Sequence, residues 1–149
     1  MRVTVFMLIT VALLFISCND STTDSTNETE STIEIRDLSP EPGSVVSSQD
    51  TIKAVLKYSI AEDIHSDFGF SISIKFVSTT AGRTFSINSN AVIKLTERDG
   101  EVPLQYPLEL IWNHSDLKHP ISCYFYLHKQ TSDTSSTVIT KTEEISYME

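Results

Sequence analysis

Glycine is scarce in this chain of 149 residues: there are four, each isolated (Gly43, Gly69, Gly82, Gly100). None can form the glycine-rich loop that cradles a phosphate. There is also no Gly-x-Ser-x-Gly elbow, no His-Glu-x-x-His pair and no Asp-x-Asp-x-Asp-Gly loop, so the sequence holds none of the short arrangements that carry hydrolytic or metal chemistry. Cysteine is limited to Cys18 and Cys123, too few for a disulfide framework or a Cys-rich metal site. Basic residues number 11 against 20 acidic ones, for a net charge of −9. Repulsion from phosphates on that scale excludes non-specific nucleic-acid binding. No window of twelve residues past the first eighteen shows a helical stripe. No enzyme activity and no cofactor are expected.

The one long apolar run lies at Val3–Ile16, between Arg2 and Ser17-Cys18. About 15 residues of helix span roughly 22 Å, short of the ~30 Å hydrocarbon core, so the run fits a signal-peptide core rather than a spanning helix. Phe15-Ile16-Ser17-Cys18 resembles the lipobox of bacterial lipoproteins, with Phe15 where that motif carries Leu. The resemblance implies cleavage ahead of Cys18, a lipid (diacylglycerol, with palmitate-type acyl chains) on its sulfur, and a location in the cell envelope. That location would be the outer membrane or the cell surface in a Gram-negative bacterium. Loss of residues 1–17 removes Arg2 and no acid, leaving 10 basic against 20 acidic residues. Such acidity disfavours an electrostatic grip on anionic lipid, which makes the acyl chains the expected membrane contact.

Residues 18–32 read as the lipidated cysteine followed by a polar spacer without an aliphatic or aromatic residue, which has little with which to offset ordering entropy. As a flexible coil its reach is roughly 20 Å. Residues 33–149 form a single expected domain. Apolar side chains alternate at Ile52, Ala54, Leu56, Tyr58 and Ile60, then at Phe68, Phe70, Ile72, Ile74 and Phe76, then at Ile121, Cys123, Phe125 and Leu127. Each set marks a strand with one buried face. Weaker runs lie at 33–38, 83–87, 91–96, 104–112 and 137–147, and Asp99-Gly100 reads as a tight hairpin turn. Seven or eight short strands predict an all-β antiparallel sandwich, with a small closed barrel as the alternative. The stretch from Ile33 through Pro40-Glu41-Pro42-Gly43 to Thr51 resembles the opening of bacterial immunoglobulin-like and fibronectin-like domains. The lone Trp112 and the missing Cys–Trp–Cys pattern set it apart from antibody domains.

If 83–95 makes one crossing, this topology gathers the loops at 61–67, 97–101 and 130–136 at one pole. Glu62, Asp63, Asp67, Glu97, Asp99, Glu101 and Asp133 would make that pole acidic, and the first strand would enter there. Of these, Glu62, Asp63, Asp67, Asp99 and Glu101 are the candidates for a Ca²⁺ or other metal site, since Ca²⁺ needs six to eight hard oxygens. They also underlie the alternative function, a small metal-dependent or hydrolytic envelope enzyme. His114, Asp116 and His119 on the loop before Pro120 are a weaker candidate for Zn²⁺. Tyr124, Tyr126 and His128 alternate with the Ile121 set. As an outward face they suit recognition of a protein or glycan of the envelope; as an inward one they are packing. Cys123 is expected to be a buried thiol, His65 and His128 surface or edge residues. The function expected is a non-enzymatic binding or spacer module held to a membrane.

Overall fold

Alternation of apolar with polar residues decides the architecture, since each strand must bury one face. The computed structural model describes residues 30–78, 84–85 and 92–149; the signal-like segment, Cys18 and most of the spacer lie outside them. Among the described residues nine strands follow in chain order: β1 (Thr32–Ser39), β2 (Thr51–Ser59), β3 (Phe70–Val77), β4 (Thr84–Phe85), β5 (Ile93–Leu95), β6 (Asp99–Pro107), β7 (Ile121–Gln130), β8 (Ser136–Lys141) and β9 (Ile145–Tyr147). No α-helix occurs among the described residues; one 3-10 turn follows β6 at Leu108–Leu110.

Two antiparallel sheets form, and they do not close into a barrel. One has the order β1-β2-β6; the other has the order β4-β3-β7-β8, with β5 on β3 and β9 on β7. The fold is a β-sandwich. Between the sheets lie Ile52, Leu56, Ile72, Ile74, Phe76, Leu104, Phe125 and Leu127, all essentially inaccessible to water. Each such side chain contributes about 1.5–3 kcal/mol of burial. Tyr106 of β6 meets Phe76 of β3 across the gap, ring centroids 5.1 Å apart. Tyr147 of β9, also fully buried, donates its hydroxyl to the Pro40 carbonyl at 3.1 Å. The last strand is thereby tied to the turn after the first.

Four local readings need correction. Phe68 was expected on the buried face with Phe70, yet it is 54% exposed and β3 begins only at Phe70. Gly69 between them takes φ +86°, a left-handed conformation that glycine adopts without strain, and the turn swings Phe68 out of the core. Asp99-Gly100 is not a hairpin turn: it opens β6, paired with Ser59 and Tyr58. Gly100 takes φ +152° there, a backbone conformation that residues with a side chain rarely adopt. The run at 104–112 is split, because the strand ends at Pro107 and the chain turns. The run at 137–147 is interrupted at Thr142, whose hydroxyl accepts the Phe125 N–H at 3.1 Å in place of a ladder carbonyl.

Thr84–Phe85 pairs with Phe76–Val77 and Ile93–Leu95 with Phe70–Ile72, both antiparallel to β3. Together they make one interrupted edge crossing. The starts of β1 and β6, the end of β2, the start of β3 and the end of β7 therefore share one pole, which carries the loops at 61–67 and 131–135. The segment 113–120 lies at the other.

Candidate functional site

The outer face of the six-stranded sheet carries the tyrosines. Ile121, Cys123, Phe125 and Leu127 take the core side of β7, so Tyr124, Tyr126 and His128 point outward. They are nonetheless covered: Tyr124 and Tyr126 are 7% exposed and His128 3%, which corrects the expectation of a surface histidine. The reason lies on β3. Ser71 stands opposite His128 and Ser73 opposite Tyr126, and such small side chains leave room for rings to lie against the sheet. Lysines then cap the rings, Lys75 Nζ at 5.3 Å from the Tyr126 centroid and Lys141 Nζ at 4.6 Å from that of Tyr124. Such cation–π contacts are worth about 0.5–2 kcal/mol each. Burial lowers the pKa of His128, with Lys75 acting the same way, and raises that of Tyr126. Neither ring nitrogen of His128 has a hydrogen-bond partner, nor does the Ser71 hydroxyl.

None of the strands β3, β4, β5, β7, β8 and β9 contains an Asp or Glu, in a chain that has 20. Among the described residues, carboxylates are confined to the other sheet, the 3-10 turn and the loops. Glu34, Arg36 and Glu101 form an exposed chain of ion pairs on the three-stranded sheet, where such pairs contribute little.

At the acidic pole, Glu62, Asp63, Asp67 and Asp99 are exposed, and Glu101 lies on β6. Among the described residues no group of three or more His, Cys, Asp or Glu side chains is placed to hold a metal ion. The histidine loop is likewise dispersed. His114 stacks on Phe85 at 4.3 Å and accepts the Asp116 N–H through Nδ1, whereas His119 turns to Trp112 and lies 3.7 Å from Glu149. Cys123 is buried and unpaired. Burial, with Glu144 nearby, pushes its thiol up to about 12, the opposite of what a nucleophilic thiolate requires.

One organising residue has no signature in the sequence. Arg98, flanked by Glu97 and Asp99, turns away from both and donates through one terminal nitrogen to the carbonyls of Ala61 and of Ile64, the latter at 3.0 Å. Its guanidinium lies 5.8 Å from the Phe70 ring centroid, and its own carbonyl accepts the Ile60 N–H at 2.8 Å. The only hint was a lone cation among acids; its hydrogen-bond partners are more than 30 residues away along the chain.

Beside this clamp a cleft of about 210 Å³ opens between Phe68, Ser71, Lys94, Gln130, Ser132 and Asp133. Its rim is fixed by Gln130 N–H to the Gly69 carbonyl at 3.0 Å, by the Ser66 hydroxyl to the Gln130 carbonyl at 2.6 Å, and by the 131–135 turn. The sequence reading missed the cleft because it placed Phe68 in the core. No family model, curated protein or solved structure matches this chain.

Proposed function

We propose that this protein is a lipid-anchored envelope lipoprotein whose immunoglobulin-like sandwich acts as a non-enzymatic binding module for a protein or glycan of the envelope. The anchor rests on the lipobox-like Phe15-Ile16-Ser17-Cys18 and the abrupt polarity that follows it. The observation that supports a binding role is the segregation of charge: every strand of one sheet is free of carboxylates, and its outer face instead carries Lys75 and Lys141 over the covered rings of Tyr126 and Tyr124. Mutual repulsion among the acids of a soluble spacer needs no such sorting, whereas a recognition face gains from aromatic and cationic groups and from losing carboxylates.

Two measurements test this. Cys18→Ala should move the full chain from the membrane fraction to the soluble one; retention in the membrane would sink the anchor. A photocrosslinker at Val138, which is exposed beside His128 on that face, should capture a partner in the native envelope. The same probe at Lys53, exposed on the other sheet, should not; equal capture at both sites, or none at either, would remove the binding face.

A further inference from the structure

We infer that the cleft at the end of the six-stranded sheet is a subsite for one neutral sugar ring of a glycan. The inference deepens the binding-module reading and rests on it, but not on the lipid anchor.

Size comes first. At about 210 Å³ the cleft falls below the ~300–1,000 Å³ of pockets that enclose drug-sized ligands, so it suits a single ring. Its lining supplies what a pyranose presents. Phe68 is an exposed aromatic held out of the core by Gly69, a flat apolar surface for the C–H face of a ring. Around it stand an ammonium (Lys94), a carboxylate (Asp133), a carboxamide (Gln130) and two hydroxyls (Ser71, Ser132). Donors and acceptors are balanced, as vicinal hydroxyls require, since each hydroxyl both donates and accepts. Ser71 adds an independent pointer: it is 1% exposed and its hydroxyl has no partner, a buried polar group of the kind that calls for an explanation. Lys94 is its directly opposite, exposed neighbour on β5 and lines the same cleft.

Charge selects the sugar class. Lys94 and Asp133 cancel, and the surrounding pole carries Glu62, Asp63 and Asp67. An acidic sugar would meet net repulsion there, and a neutral one would not. The rim is preorganised by the backbone bonds across Gly69, Gln130 and the 131–135 turn, which limits the ordering cost of binding.

The test is saturation-transfer NMR on the full chain in a sugar-free detergent. The probes are the methyl glycosides of glucose, galactose, mannose and N-acetylglucosamine, with methyl glucuronide and glycerol as controls. At least one neutral glycoside should saturate the protein in the ~1 mM range, with the strongest transfer at ring C–H protons. Phe68→Ala and Asp133→Asn should each weaken it by about tenfold, with melting temperatures unchanged because both side chains are exposed. Four outcomes overturn the assignment: no saturable glycoside, binding unaltered in both variants, glucuronide bound more tightly than the neutral sugars, or glycerol bound equally well. Failure here alongside successful capture at position 138 would remove the sugar subsite and leave the binding module. Loss of capture would remove the module itself.

Discussion

Replacing Arg98 with Met keeps the length of the side chain and removes its charge and donors. Arg98 satisfies the carbonyls of Ala61 and Ile64 and lies against Phe70. A hydrogen bond from a charged donor contributes about 1.5–3 kcal/mol, and a partly buried cation–π contact about 0.5–2 kcal/mol. Against these stand the desolvation of a half-buried guanidinium whose Nε has no partner, and the packing that Met retains. The net expectation is a loss of about 2–3 kcal/mol, with Arg98→Lys losing less, since an ammonium keeps donors for the carbonyls but lacks the planar guanidinium that lies against Phe70. For a domain of this size that is a fall in Tm of roughly 10 °C. Urea denaturation followed by far-UV circular dichroism gives the free energy directly through the midpoint at unchanged slope. The Ala61–Ile64 loop should also exchange its amide hydrogens faster in the variant. A stability within 0.5 kcal/mol of the wild type would show that the desolvation cost cancels the contacts, and the clamp would have to be abandoned as a stabilising element.

Three further outcomes are expected. His128 has a pKa lowered by burial, so the unfolded chain takes up its proton more readily than the folded one. Its stability is complete above the unfolded value of about 6.5 and falls as the pH drops below it; His128→Leu should flatten that slope, measured by urea midpoints at pH 7.5 and pH 5, and should not destabilise at pH 7.5, because it removes two unpartnered nitrogens. Cys123, with its thiol at about 12, should resist a thiol-disulfide reagent at pH 8 until denaturant is added, and Cys123→Ser should cost about 1–3 kcal/mol through a buried unpartnered hydroxyl; rapid labelling of the native protein would contradict the packing described. Tyr147→Phe deletes the bond to Pro40 and should lower stability by about 1–2 kcal/mol in the same urea assay, with no change in slope.

Much of the sandwich was legible because period-two alternation is a local signal. The buried faces of β2, β3 and β7 could be written down from Ile52–Ile60, Ile72–Phe76 and Ile121–Leu127. What was not legible depends on backbone conformation or on distant partners. Phe68 obeys the alternation and leaves the core because one intervening glycine takes a left-handed turn. Asp99-Gly100 has the composition of a turn but pairs in a ladder with Ser59 and Tyr58, partners distant along the chain. The covering of Tyr124, Tyr126 and His128 depends on serines more than 50 residues earlier. The cleft and Arg98 escaped for the same reason: their members converge only when the loops meet at the pole.

The placement of the two described chain ends has a mechanical consequence. β1 begins at the pole where β2 ends, while Met148 bonds to Ser44 and Val46 at the opposite pole. A pull on the segment ahead of Thr32 against a load at Met148 therefore runs along the strands rather than across them. The seven paired positions of the β1–β2 ladder must then yield together in shear, instead of opening one after another like a zipper. The same force applied from the side would open those pairs one at a time.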